Sequence, residues 1–282
     1  MTINVSTFEL LVKPIAPRSP IPVPFQGVAR RVVQGYFLTI TNLFREDIRF
    51  SFRFRSSAPT PDNLDRRLSQ NNVNLLYDIA GDNLPLENIF ALPPGLFSAN
   101  YSLIGSFTLP SRQTATVQLL PNLTDSLLRN PNPDFEIRGF VELSIPFTFR
   151  NGRIQPQTNQ NVPVLLQPEI RGTFLPNDLS TENIDFDQIN YSLVTASGQG
   201  ENEVAPAGFS GLSLSDDLVM AVMENLESGS FPIDSFSEEN QVNQLSSLVA
   251  NLGQIEPTAE NLTQVSELLA RMNIPIVMQP RQ

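Results

Sequence analysis

The sequence predicts a mainly β protein, an antiparallel β-sandwich followed by a small C-terminal α-helical region, on three observations. Apolar and polar residues alternate with a period of two through most of the first 176 residues, as half-buried strands require. After residue 213 the period becomes that of amphipathic helices. Charge divides along the same line. Residues 1–176 hold 16 of the 18 Lys and Arg and 13 of the 29 Asp and Glu, net +3, whereas residues 177–282 hold the remaining 2 and 16, net −14.

The chain opens with an extended, Pro-rich lead-in over 1–27. Phe8, Leu10 and Val12 alternate with Glu9, Leu11 and Lys13 as a short leading strand, and prolines at 14, 17, 20, 22 and 24 follow. Proline fixes φ and lacks a ladder donor, so that stretch is expected to be unpaired. The sandwich domain is placed at 28–176. Its first strand carries Tyr36, Leu38 and Ile40 on one face. The next is the cleanest, with Ile48, Phe50, Phe52 and Phe54 expected inside and Arg49, Ser51, Arg53 and Arg55 expected in water.

Further strands are read from Val73, Leu75, Tyr77 and Ile79, then from Tyr101, Leu103, Phe107 and Leu109, then from Ala115, Val117 and Leu119. A longer one runs through Phe135, Ile137, Val141, Leu143 and Ile145, with Gly139 expected as a bulge. Phe147 and Phe149 lead into Asn151-Gly152, which suits a two-residue hairpin turn. Val162, Val164 and Leu166, then Ile170 and Phe174, close the set. Leu123–Leu128 and Leu64–Leu68 are each long enough for a helical turn.

About eight short strands with one apolar face each describe two stacked antiparallel sheets, immunoglobulin-like in strand count and alternation. The Cys and Trp that mark antibody domains are absent. A closed barrel is the alternative architecture.

Residues 177–212 read as an acidic polar linker in which Ile189, Tyr191 and Leu193 could make one more strand. Residues 213–282 are expected to form an acidic helical region of about three short helices. Their stripes are Leu218, Val219, Val222, Met223 and Leu226; then Val242, Leu245, Leu248, Val249 and Leu252; then Leu262, Val265, Leu268, Leu269 and Met272. The last two stripes match at an offset of 20 residues, the mark of two similar helices in a hairpin.

Composition limits chemistry. His, Cys and Trp are absent and Lys13 is the single lysine. Without imidazole or thiol, the commonest general base, the commonest metal ligands and the sulfur nucleophile are missing. The chain is therefore expected not to be an enzyme and to carry no catalytic residue, metal or cofactor. Glu136 and Glu142 would sit roughly 20 Å apart on an extended strand, too far for the common glycosidase pairs. The acidic run Asp178, Glu182, Asp185, Asp187 lacks the Asp-x-Asp-x-Asp-Gly frame of a calcium loop. Five Asn-x-Ser/Thr sequons are read as chance in an Asn-rich chain. No apolar run is long enough to span a membrane, and neither membrane insertion nor an export signal is expected, which points to the cytoplasm.

Eight of the seventeen arginines fall between Arg30 and Arg67. Net charge −11 and the near absence of lysine argue against nucleic acid, leaving for Arg49, Arg53 and Arg55 either a solvated outer strand face or an acidic protein partner, the nearest being this chain's own second half in the same protomer or a neighbour. The stripe through Leu262, Val265 and Leu269 is the second interaction surface. The function expected is a structural or protein-interaction module that assembles with itself, as a homo-oligomer, or with a protein partner. The alternative is a β-sandwich whose loops bind a glycan or a small anion.

Overall fold

The structure is a computed structural model that describes residues 2–16, 21–22, 30–57, 66–92, 101–130, 132–150, 153–175, 187–206 and 276–277. The stripes at 218–226, 242–252 and 262–272, Leu262, Val265 and Leu269 included, lie outside them, as do Asp178, Glu182 and Asp185.

Strands follow the alternation. They are β1 (Ile3–Pro14), β2 (Arg31–Asn42), β3 (Ile48–Ser56), β4 (Val73–Asp78), β5 (Leu84–Pro85), β6 (Glu87–Leu92), β7 (Ser102–Leu109) and β8 (Thr114–Pro121). After a short helix α1 (Asp125–Arg129) come β9 (Phe135–Ser144), β10 (Phe147–Arg150), β11 (Arg153–Gln155), β12 (Val162–Leu175), β13 (Gln188–Ser192), β14 (Glu201–Val204) and β15 (Ile276–Val277). Two compact units result, Thr2–Ser144 with Asn161–Val204, and Ile145–Gln160 with Ala205–Gln282.

The first unit is one curled antiparallel sheet in the order β5-β4-β8-β2-β1-β9-β3-β7-β6. β12 runs the whole length of β2, so the opposite edge of β2 serves two partners: Arg31–Gln34 pair with β1, and Tyr36–Thr41 pair with β8. At that fork Leu11 and Val12 of β1 pair with both β2 and β9. The sheet turns there because its two arms share an apolar interior. Phe8, Tyr36 and Phe54, from three strands, meet edge to face with centroids 6.0 to 6.2 Å apart. Tyr77 of β4 stacks on Phe107 of β7 at 4.4 Å, although these strands are distant in sheet order. This is the expected antiparallel β architecture in the form of a continuous curl.

The start of the chain differs from expectation. Phe8, Leu10 and Val12 are fully or almost fully buried, and β1 is an interior strand of the sheet, paired on both sides. The reason is the alternation from Ser6 to Val12, whose inward row is buried by strands on both sides. β13 and β14 fall within the segment expected as linker and extend the outer edge of β12, antiparallel to it.

Gly139 is also different. The β1–β9 register runs through it without a break, and the irregularity lies across from β9, between Asn4 and Ser6. The helical turn after Leu123 is present, with Thr124 as N-cap accepting from the Leu127 N–H. Its far end rests on a buried cation: the Arg31 guanidinium, 1% exposed, donates to the Leu128 and Asn130 carbonyls. A cation at that end complements the helix carbonyls.

Asn42, fully buried at the end of β2, ties two turns together, the one from β2 to β3 and the one from β7 to β8. Its Nδ2 donates to the carbonyls of Glu46 (2.9 Å), Leu109 (3.1 Å) and Pro110 (3.2 Å), and its Oδ1 accepts from the Phe44 N–H at 2.9 Å. Asn42→Asp keeps the shape but turns a carboxylate toward three carbonyl oxygens. The expected loss is about 3 kcal/mol, read in thermal unfolding as a Tm lowered by roughly 5–10 °C. An unchanged Tm would contradict this role.

The second unit holds a small sheet in the order β11-β10-β15. The antiparallel pairing expected on either side of 151–152 is present, with Arg150 opposite Arg153, while the two turn residues themselves lie outside the described residues. β15, from the apolar C-terminal segment, pairs in parallel with β10, Ile276 opposite Phe147 and Val277 opposite Thr148.

Candidate functional site

The arginine face of β3 sits in the middle of one arm of the sheet, between β9 and β7. Carboxylates reach it from both sides, Glu142 from the adjacent β9 and Glu87 from β6 beyond β7. Arg49, only 4% exposed, donates from Nη2 to Glu87 Oε2 at 2.7 Å and to Ser106 Oγ at 3.0 Å. Arg55 Nε donates to Glu142 Oε2 at 2.7 Å. Arg53 stands opposite Glu142 in the ladder. Burial, helped by the Arg55 charge and opposed by Glu142, lowers the Arg53 pKa to about 10, which leaves it a cation at neutral pH.

The wet face expected from the sequence is thus a largely covered, charge-compensated one. The reason is that β3 is an interior strand and its outer row faces the rows of its neighbours. Glu87 was not foreseen, because β5 and β6 carry too little alternation to stand out; the acid at 87 itself was the only signal.

Two more arginines of the cluster also meet acids. Arg30 Nη1 donates to Asp187 Oδ2 at 2.6 Å, and its guanidinium lies 5.0 Å from the centre of the Phe174 ring. Asp187 belongs to the acidic run after residue 177, so one predicted contact between basic and acidic segments is made within the chain. Arg66 bonds Asp134 at 3.4 Å.

A second charged group lies on β1 and β9. Glu136, 7% exposed, accepts from Lys13 and forms an ion pair with Arg138 Nη2 at 2.8 Å, while Arg138 Nε reaches Glu9 and Gln34 Nε2 donates to the other Glu9 oxygen at 3.1 Å. Burial alone would raise the Glu136 pKa. The Lys13 hydrogen bond and the charges of Lys13, Arg138 and Arg66 outweigh it and hold the carboxyl below the usual carboxylate range.

A carboxyl with a lowered native pKa stabilises the fold above its unfolded value, near 4.5, and that contribution is lost as pH falls through the lower native value. Lys13→Met is therefore expected to lose about 1 kcal/mol at pH 7. The gap between variant and parent in urea unfolding should close below about pH 4. A gap independent of pH would show that Lys13 acts through packing alone.

Two clefts lined by described residues open on the first unit. The smaller, of about 480 Å³, is walled by Glu9, Arg138 and Tyr191. Burial and the Glu9 charge raise the Tyr191 pKa against a hydrogen bond with Gln34. The larger, of about 730 Å³, lies over β12, β2, β8 and β4 beside β13, with Gly35, Phe37 and Leu120 on its floor. Its rim carries the carboxamides of Asn74, Asn122, Gln188 and Asn190. Asn122 and Asn190 stand out in the sequence only as two of the five sequons read as chance, and Asn74 and Gln188 carry no signal there. Alternation assigns strand residues to outer positions but does not reveal that five distant segments adjoin.

Taken together, these features define a curled antiparallel β protein with internally compensated charge and an amide-rimmed cleft. Among the described residues, no helix is long and apolar enough to cross a membrane. No family model matches the sequence, and no curated protein matches it. Among solved structures, the chain is similar to the viral chemokine binding protein R17 encoded by rodent gammaherpesvirus Peru. The identity is 7%, the TM-score is 0.20, and the match covers 68% of this chain and 63% of that one. At that level the likeness carries no functional weight.

Proposed function

We propose that the chain is a non-enzymatic protein-interaction module that assembles with copies of itself through strand capture. The observation that supports it most is the parallel pairing of Ile276–Val277 with Phe147–Thr148 on the edge of β10. An exposed strand edge that takes up an extended peptide supplies main-chain hydrogen bonds irrespective of which copy the peptide comes from. Residues 207–275 lie between β14 with its short continuation and β15, a length of chain ample to reach a neighbouring molecule. The stripe through Leu262, Val265 and Leu269 immediately precedes that peptide and would bury against the same neighbour.

The curled sheet serves as the rigid frame, as an immunoglobulin-like sandwich does. Arg49, Arg53 and Arg55 contribute less to the contact than the sequence suggested. Their largest electrostatic partners are already present, and exposed ion pairs add only about 0–1 kcal/mol each.

The absence of cysteine makes a direct test simple. Thr148→Cys and Val277→Cys place thiols at paired positions, within the separation a disulfide spans. Chains carrying one substitution each, mixed under mild oxidation, are expected to yield covalent dimers that join the two variants. If the doubly substituted chain closes on itself while the mixture stays monomeric, the tail serves only its own molecule and self-assembly by this route is wrong.

A further inference from the structure

We propose that the 730 Å³ cleft over β12, β2, β8 and β4 is a binding site for a neutral saccharide. This goes beyond assembly and does not depend on it, since the cleft belongs wholly to the first unit.

The argument begins with register. Arg171 pairs with Gly35 and with Asn190, Leu120 pairs with Asn74, and Thr173 pairs with Gln188, so these residues share the outer face of one continuous patch of sheet. Gly35 leaves the centre of that patch without a side chain. A Cβ there would come within 2.6 Å of Leu120 Cδ2, so the leucine lies across the space and forms an apolar floor with Phe37. The size is that of an ordinary small-ligand site, which spans roughly 300–1,000 Å³.

The rim decides the ligand class. A carboxamide offers two N–H donors and a carbonyl acceptor on one rigid plane, which matches a hydroxyl that both donates and accepts. The side chains of Asn74, Gln188 and Asn190 are exposed and make no hydrogen bond among the described residues, so their full capacity faces the cleft. Asn122 donates one N–H to the Asn71 carbonyl at 3.2 Å and keeps its own carbonyl oxygen for a ligand.

An anion finds little here. Arg171 is the charged residue among those lining the cleft, and it is engaged twice, by the Glu169 carboxylate and by the Phe37 ring 4.6 Å away. A polyol with one apolar face, the ordinary character of a hexopyranose, answers both the neutral donor-acceptor rim and the apolar floor.

The test uses the full chain and titration calorimetry against maltohexaose, cellohexaose, mannohexaose and xylohexaose. Hexagalacturonate and a neutral ten-residue peptide form separate arms. At least one neutral hexasaccharide is expected to bind, with Kd of about 0.1–1 mM. Asn74→Ala with Asn190→Ala should weaken it about tenfold or more while thermal unfolding stays unchanged, because both side chains are exposed. In NMR spectra the Gln188 side-chain amide protons should shift on addition of the sugar. The proposal is overturned if no neutral hexasaccharide binds, if only hexagalacturonate or the peptide binds, or if the double variant binds as tightly as the parent.

Discussion

Gly139→Ala is expected to cost at least about 4 kcal/mol and to leave little folded protein, since an ordinary domain has only about 5–15 kcal/mol to lose. The position lies on the inner face of β9, opposite Phe8 of β1 and Ser56 of β3. A Cβ built there falls 1.8 Å from the Arg55 carbonyl oxygen and 2.8 Å from Phe8 Cε1. The first neighbour is backbone in an interior strand and cannot rotate away. Relief requires β3 and β9 to part, which breaks the ladder that also holds Arg53 opposite Glu142.

Gly200→Ala is the matched control. Nothing lies within 4 Å of a Cβ at Gly200, and its cost should stay within about 0.5 kcal/mol. Urea unfolding of both variants checks the pair. A Gly139→Ala protein as stable as the parent would mean that the close approach of β3 and β9 is not a feature of the fold.

Phe54→Ala carries the second large effect, about 4 kcal/mol in the same measurement. Phe54 is fully buried and joins strands that are separate in the chain: its ring lies 6.0 Å from Phe8 and 6.1 Å from Tyr36, at interplanar angles of 71° and 78°. Removing it leaves a hole between β1, β2 and β3 at the point where the sheet turns. Backbone hydrogen bonding pins all three strands, so the walls can collapse only in part.

Phe54→Leu retains most of the volume and should cost less than about 1.5 kcal/mol. The Tyr36 hydroxyl helps hold the cluster, sharing a hydrogen bond of 2.8 Å with Ser6 Oγ. Equal losses for the Ala and Leu variants would show that ring packing, and not volume, sets the energetics of the turn.

Both positions illustrate how far pattern alone reaches. Ile48, Phe50, Phe52 and Phe54 were legible as one inward row because strand geometry forces alternate residues to one side, and all four are buried. The same logic placed Ala115, Val117 and Leu119, the antiparallel pairing on either side of 151–152, and a strand containing Ile189 and Tyr191. It failed for the other side of β3. Whether Arg49 meets water depends on whether a strand lies beside it and what that strand carries, and Glu87 is 38 residues away. It failed again at Gly139, where an expected bulge is in fact a close approach of two backbones.

The amino-acid sequence by itself determined the inward rows of the longer strands, and that imidazole and thiol chemistry are closed to this protein. These follow from local geometry and composition, which each short segment carries within itself. Tertiary structure alone decided that β1 is an interior strand, that Arg49 and Arg55 face Glu87 and Glu142, and that Asn74 and Asn190 share a cleft. Those are matters of register between segments far apart in the chain, and register is settled by the joint burial of all the rows at once.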